Sequence, residues 1–506
     1  MYMEQMKKRK RVIPISAILV LITAISKLTG FLREFVLARN FGATVEADAY
    51  LIALSIPMSI FASLMTAIVS SFIPQFNFIS AKYEKRKANQ FTNDVLFISI
   101  IIAIIAYCLI QFLPETSVRV IASGFTETYE LMQLMVELVR ISSFMMIILA
   151  ISQVFSAYMQ SHEKFIVATG NNIICNVLTI VAFMYSMKLG IKGLMFCSVL
   201  FSMTQIIIQY PFVRKLGFRF RPSFCVTNEI KHWIVLLFPM LISTAIVDIG
   251  FVFEKSIAST LEKGSISALN YAKKLNDLVF GIVAVSVSTI IYPKLTKLFA
   301  EKKSFDFIQC LLNGLQSILI LTTPILLFVI AFPSEIIRSV YGYGNFNARA
   351  IEMTVSALIF YAPGMVIMGL RDMLCKTFFS MRDTKTPMLN GIITTVINII
   401  LAYLFSSLLG YSGLALASSL SSLFSTILLW IALRKNTDIQ PKFLNKRVIM
   451  TLILALSQVA VSYFVYHTIE KKYTITVLPV IIIMGIINCL IYFGFCKKLN
   501  VSVFLQ

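Results

Sequence analysis

The sequence predicts an all-α polytopic membrane protein with 14 transmembrane helices, built as two pseudo-symmetric six-helix lobes plus two C-terminal helices. Three observations lead there. Of 506 residues, 58% are apolar and only 14% charged, against about 25% charged in an ordinary soluble domain. The apolar residues come in continuous runs long enough to cross a bilayer, which needs about 20 residues each. Segments 220 residues apart repeat one another. A soluble enzyme, a disordered chain and a nucleic-acid-binding domain are excluded together, because none could bury this much apolar surface.

The runs fall at 12–39, 47–80, 92–113, 131–159, 166–187, 191–213, 233–259, 265–296, 307–332, 350–376, 388–408, 411–433, 448–467 and 474–495. They are continuous rather than alternating, so they read as helices and not as the strands of a closed barrel, the other structure that lipid permits. The first run follows the basic cluster Lys7 to Arg11 and has no small-residue cleavage site, so it reads as an uncleaved span.

Loop charge sets orientation. Basic residues gather in alternate loops: Lys82, Lys85, Arg86 and Lys87; Arg214, Lys215, Arg219, Arg221 and Lys231; Lys294, Lys297, Lys302 and Lys303; Arg382 and Lys385; Arg434, Lys435, Lys442, Lys446 and Arg447; Lys497 and Lys498. The opposite loops, such as 40–46 and 409–412, carry few or none. Both termini are therefore expected in the cytoplasm. This rule accounts for most of the net charge of +21 without any nucleic acid. The basic-aromatic stretch from Arg214 to Arg221 is likewise read as topology and head-group anchoring.

The repeat is ungapped around its centre. Leu189-Gly190-Ile191-Lys192-Gly193-Leu194, running to Arg214-Lys215, matches Leu409-Gly410-Tyr411-Ser412-Gly413-Leu414, running to Arg434-Lys435. Ile73-Pro74 likewise matches Tyr292-Pro293. The predicted organisation is an N-terminal lobe over 1–220, a C-terminal lobe over 221–440, and an appended helix pair over 441–506. Even-numbered repeats share one orientation and commonly rock about a site at their interface, which favours a transporter.

Charges inside apolar runs are the candidate site. One charge at mid-bilayer costs roughly 2.5–3.5 kcal/mol on insertion scales and needs a partner, water or ligand. The first run holds Lys27, Arg33, Glu34 and Arg39; the second, Asp48; the seventh, Asp248, Glu254 and Lys255; the eighth, Lys273, Lys274 and Asp277; the tenth, Arg371 and Asp372. Arg39, Asp48 and the pair Arg371-Asp372 read first as interhelical pairs or interface groups. Lys27, Arg33 and Lys274 exceed what Glu34 and Asp277 neutralise, and a basic surplus in a wet cavity suits a phosphate-bearing group. Glu254 with Thr394 and Asn398, one turn apart, could cage a sodium ion, although interhelical hydrogen bonding is the plainer reading. No other cofactor is indicated. The three histidines (His162, His232, His467) sit in or beside loops, and there is no phosphate-binding loop for ATP. The eight cysteines (Cys108, Cys175, Cys197, Cys225, Cys310, Cys375, Cys489 and Cys496) are scattered, without C-x-x-C spacing. No catalytic constellation appears, and the chain is read as a non-enzyme.

Several segments resemble the lipid II flippase family (MurJ/MviN type), within the wider group of multidrug, oligosaccharidyl-lipid and polysaccharide exporters. They are Ser26-Lys27-Leu28-Thr29-Gly30-Phe31-Leu32-Arg33-Glu34, Phe41-Gly42-Ala43 and Ala47-Asp48-Ala49-Tyr50; Gly264 to Ala272 and Tyr343-Gly344-Asn345-Phe346; then Phe379 to Pro387 and Gly413 to Ala417. The resemblance implies movement of an undecaprenyl-diphosphate-linked peptidoglycan precursor to the outer leaflet of the bacterial cytoplasmic membrane by alternating access. It implies a substrate site of Lys27, Arg33, Glu34, Asp48, Ser267, Lys274 and Asp277, a groove for the lipid tail along the last two helices, and partners among membrane lipids and cell-wall synthesis proteins. Glu254 falls where some members have a sodium-binding Asp. The chain departs from the family in having Lys27 and Lys274 where arginine is usual, Glu34 where Asp is common, and no basic residue between Ala47 and Ala81. A flippase for another polyprenyl-linked glycan, a cation-coupled exporter of amphipathic compounds and a non-transporting scaffold are the alternatives.

Overall fold

The computed structural model describes the backbone of residues 2–83, 85–126, 128–221, 227–436, 446–472 and 477–498. Cys225, Lys442 and residues 474–476 fall outside the described residues, as do the side chains of Lys7 to Arg11, Lys446, Arg447, Cys496, Lys497 and Lys498.

Within the described residues each predicted run lies on a helix. We number the helices α1 (Tyr2–Phe41), α2 (Val45–Lys82), α3 (Lys85–Phe112), α4 (Pro114–Ile121), α5 (Tyr129–Ser161), α6 (Phe165–Met184), α7 (Lys188–Lys215) and α8 (Asn228–Ser259). The second part holds α9 (Ser265–Ala300), α10 (Ser304–Ala331), α11 (Pro333–Tyr341), α12 (Ala348–Ser380), α13 (Lys385–Leu409), α14 (Tyr411–Asn436), α15 (Lys446–Lys472) and α16 (Val477–Lys498). Among the described residues, 11 helices are long and apolar enough to cross a membrane. The expected runs at 12–39, 233–259 and 474–495 fall on α1, α8 and α16, which are outside that set.

The repeat predicted from sequence has structural counterparts. The short amphipathic helices α4 and α11 each begin with a proline in the first turn and follow the third long helix of a half. Proline suits that position because its missing N–H is one the helix start leaves unbonded anyway. The second long helix of each half, α2 and α9, contains a π-type turn, Ile56–Phe61 and Phe280–Ala284, and an internal proline, Pro74 and Pro293. Gly190 and Gly410, paired in the repeat, both have positive φ (62° and 59°).

By contact the chain forms two compact units, Met1–Lys263 and Gly264–Gln506. The break comes after α8 rather than near residue 220, and side chains explain why. Trp233 on α8 is fully buried and donates its indole N–H to Ser71 Oγ on α2 (2.9 Å). Its ring stands edge-on to Phe91 of α3 (6.4 Å), which stacks on Phe72 of α2 (5.4 Å). At the other end of α8, Ser259 Oγ accepts from the Gly124 amide (3.1 Å). The sequence repeat therefore divides the chain at one place and packing at another.

The second unit centres on a core formed by α9, α10, α12 and α14, with Ile291, Leu311, Leu315, Ile318, Met373 and Phe378 all buried. The C-terminal pair joins this unit through α10: Tyr492 donates its hydroxyl to the Ile320 carbonyl (2.9 Å), and Val448 and Ala455 pack around it. The start of α13 is fixed by Asp383, whose carboxylate accepts from the Lys385 and Thr386 amides (3.0 Å each) and the Thr386 hydroxyl (2.6 Å). Those bonds, led by the Thr386 hydroxyl, hold the Asp383 carboxyl below its ordinary value.

Two measurements check these anchors. Replacing Trp233 with Ala should cost about 3 kcal/mol or more, by the rule for large buried aromatics, read as a fall in unfolding temperature of the detergent-solubilised protein. Asp383→Asn keeps an acceptor and loses only the charge at the helix start, which should cost about 0.3–1 kcal/mol. Because the folded carboxyl titrates below the unfolded one, this stabilisation is complete above the ordinary carboxylate range and lost as pH falls through the lower folded value. The gap in unfolding temperature between wild type and Asp383→Asn should therefore be full near neutrality and close below about pH 4.

Candidate functional site

In the first unit α1 packs along α6, and the polar residues on the contact form a chain of bonds. Arg33, about one-fifth exposed, donates from Nη2 to Glu34 Oε1 (2.9 Å) and from Nη1 to Asn176 Oδ1 on α6 (3.4 Å). Asn176 Nδ2 donates to Thr29 Oγ1 (3.3 Å), whose hydroxyl donates to the Ser26 carbonyl (3.0 Å). The guanidinium is thus oriented by a buried carboxylate, itself 3% exposed, and by a neutral carboxamide. Arginine suits this role because its planar fork serves two acceptors at once.

Lys27 lies one to two turns earlier on α1 and is exposed in this unit; among the described residues it has no ion pair. Asp48 is buried in the first turn of α2, where a negative charge complements the helix dipole. Thr44 caps the same helix by accepting from the Ala47 amide (3.4 Å). Nearby on α2, the Tyr50 hydroxyl meets Ser198 Oγ of α7 (2.8 Å). Neither Asn176 nor Thr29 was singled out from sequence, since an asparagine and a threonine in apolar runs carry no distinguishing pattern.

In the second unit the candidates all lie on α9. Ser267 is fully buried in its first turn, just after Gly264. Lys274 and Asp277 are half-buried one turn apart, yet among the described residues they form no ion pair. Lys274 thus has no neutralising carboxylate among the described residues.

The pair Arg371-Asp372 on α12 separates into two devices. Asp372 Oδ2 accepts from Lys376 Nζ one turn on (3.0 Å) and from Ser288 Oγ of α9 (2.6 Å); Lys376 also reaches Ser288 Oγ (2.6 Å). Arg371 donates from Nε to Ser425 Oγ of α14 (2.7 Å), and Asn390 of α13 bonds both the hydroxyl and the carbonyl of Ser425. These networks tie α9, α12, α13 and α14 together and support the interhelical reading. Lys376 was missed because it stands at the end of an apolar run, where lysine usually reaches the interface.

Of the three residues proposed to cage sodium, Glu254 belongs to α8 in the first unit and Thr394 and Asn398 to α13 in the second. The Thr394 hydroxyl donates to the Asn390 carbonyl of its own helix (2.7 Å). Among the described residues no cluster of three His, Cys, Asp or Glu side chains could hold a metal. Six cysteines are free thiols among those described.

Comparison with known proteins bears on these residues. The family model described as lipid II flippase MurJ matches residues 37–484. The lipid II flippase MurJ of Burkholderia cenocepacia is 25% identical over 432 residues, covering 83% of each chain. The probable lipid II flippase MurJ of Thermotoga maritima is 26% identical over 419 residues, covering 82% of this chain and 84% of the relative. That of Rickettsia prowazekii is 25% identical over 498 residues, 96% and 97% of the two chains. Among solved structures, a lipid II flippase MurJ in an inward closed conformation superposes with a TM-score of 0.80 at 24% identity, covering 95% of this chain and 99% of that one. An inward-facing multidrug transporter of the MATE family gives 0.66 at 16% identity, with 82% and 100% covered. At these identities the structures establish a shared fold.

The Asp372–Lys376 pair gives a sharp test. Removing either partner leaves a charge among apolar helices, so Asp372→Ala and Lys376→Ala should each destabilise. The double variant should be less damaged than the sum of the two, with a coupling of about 1–3 kcal/mol. Unfolding of all four proteins in one detergent measures it.

Proposed function

This chain belongs to the MurJ family of lipid II flippases, and from that premise we propose that it moves a polyprenyl-diphosphate-linked peptidoglycan precursor across the bacterial cytoplasmic membrane. The reading takes it as a transporter with no catalytic step. It comprises two repeats over 1–220 and 221–440 and a helix pair over 441–506 that holds the lipid tail. Both termini lie in the cytoplasm, on the strength of the alternating basic loops.

The observation that carries the reading is the imbalance of intramembrane charge. Most polar groups in the bundle have partners within a turn or on the next helix, whereas Lys27 and Lys274 have no carboxylate partner among the described residues. A diphosphate supplies the missing counter-charge. Lys27 and Lys274 act as mobile point charges, and Arg33 offers a guanidinium face already aimed by Glu34 and Asn176. Asp277 completes the polar lining, while Asp48 and Ser267, buried in this structure, join the proposed site in a conformation that opens the starts of α2 and α9, the serine as a hydrogen-bonding group for the substrate. Coupling to sodium through Glu254, Thr394 and Asn398 rests on side-chain chemistry alone, and dependence of transport on a sodium gradient decides it. Association with cell-wall synthesis proteins belongs to the same proposal and is read by co-purification.

Complementation of a bacterium depleted of its own precursor flippase tests the reading. The wild-type chain should rescue growth, and Lys27→Arg and Lys274→Arg, which keep the charge, should also rescue. Arg33→Ala and Lys274→Ala each remove a charge-assisted contact worth roughly 1.5–3 kcal/mol, which weakens binding of the head group about ten- to a hundredfold, and rescue should fail. Growth supported by the triple variant Lys27→Ala, Arg33→Ala and Lys274→Ala would defeat the site. No rescue by a correctly inserted wild-type chain would point to another polyprenyl-linked glycan.

A further inference from the structure

One cleft in the first unit takes no part in the proposed transport site. It has a volume of about 600 Å³ and lies between the first two turns of α3 and residues 217–221, which follow α7. Its walls carry Arg86, Arg219 and Arg221 together with Asn89, Gln90 and Asn93. Among the described residues no acidic side chain lines it and none of the three guanidiniums has an ion pair.

The positive-inside rule asks only that a loop contain basic residues; it does not ask that the loop be held in one place. This one is held at five points. Gly217, at φ 96°, reverses the chain at the end of α7. Phe218 is buried, edge-on to Phe155 (6.0 Å) and tilted against Tyr158 (5.6 Å). Asn89 Nδ2 donates to the Gly217 carbonyl (3.1 Å). Asn93 Nδ2 donates to the Arg219 carbonyl (3.1 Å), and Asn93 Oδ1 accepts from the Arg221 amide (2.8 Å). Tyr158 in turn donates to Asn89 Oδ1 (2.9 Å), fixing the orientation of that carboxamide. Ordering a loop of this kind costs about 1–2 kcal/mol per residue in backbone entropy, and here it brings three like charges to one cleft. Convergence of like charges is unfavourable, and an anion between them offsets that cost.

We propose that this cleft binds the phosphate head group of an anionic membrane lipid on the face that carries the basic loops. The site stands apart from the transport reading and does not depend on it. Its volume lies within the range of ligand pockets, roughly 300–1,000 Å³, and exceeds what one bare phosphate fills. The amide side chains of Asn89 and Gln90 suit the hydroxyls of a glycerol head group. Its position favours a lipid over a soluble phosphate. Arg86 stands one residue into α3, whose apolar stretch begins within two turns, and Arg219 and Arg221 follow the end of the apolar α7. Between them Phe220 is half exposed, as is Phe212 on the last turns of α7, the placement of aromatic anchors at head-group depth.

The test is lipid retention by the full chain in mild detergent, read by native mass spectrometry during titration with phosphatidylglycerol, with phosphatidylcholine as the neutral control. Wild type should bind one phosphatidylglycerol far more tightly than phosphatidylcholine. Arg221→Ala and Arg219→Ala should each weaken that binding at least tenfold, against the roughly fivefold or less expected from loss of any one surface charge. Arg214→Ala, outside the cleft, sets that baseline. Asn93→Ala changes no charge but frees the loop, and should weaken binding as the arginine variants do. Equal losses in Arg214→Ala and Arg221→Ala, or full retention in Asn93→Ala, would overturn the site. Displacement of the lipid by millimolar inorganic phosphate, with matching thermal stabilisation, would overturn its assignment to a lipid.

Discussion

Inside a lipid bilayer a polar group has no water to fall back on, and every donor, acceptor and charge must be answered from within the protein. The helices of this chain meet that demand largely with their own atoms. Hydroxyls bond back to carbonyls one turn earlier, as Ser71 does to Ala67, Thr92 to Ala88, Thr354 to Ala350 and Thr377 to Met373. Charged groups are answered across helices, Asp372 by Lys376 and Ser288, Arg371 by Ser425. Against this background a cation with no partner stands out. Among the described residues Lys27 and Lys274 have no carboxylate partner, whereas Arg33 is paired with Glu34.

The difference between lysine and arginine shapes what these positions can do. Arg33 spends its fork on Glu34 and Asn176, which fixes its plane and makes it a positioned donor. A lysine carries the same charge as a strongly hydrated point on a flexible stem. In the proposed site Lys27 and Lys274 therefore offer a diphosphate charge without bidentate geometry. Binding proposed there leans on charge more than on shape, and charge attraction is the part that added salt weakens.

Helix α8 shows how repeat and packing can disagree within one chain. The 220-residue repeat makes it the first helix of the second half, yet Trp233 and Ser259 fasten its two ends to elements of the first. A helix that the sequence repeat assigns to the second half thus packs within the first unit. The C-terminal pair is fixed differently, through Tyr492 and the face of α10, and so follows the second unit.

The sequence by itself determined the class, the runs and the family. Composition forced a membrane bundle because 58% apolar residues in continuous runs have no other stable arrangement, and each run lies on a helix. The charged candidates were legible for the same reason, since a lysine or arginine in an apolar run is conspicuous. Partners were not. Asn176 beside Arg33, Ser288 beside Asp372 and the asparagines that hold residues 217–221 were decided by tertiary structure alone. Hydropathy records only the cost of burying a group, whereas which neighbour answers it depends on how helices distant in sequence turn their faces to one another.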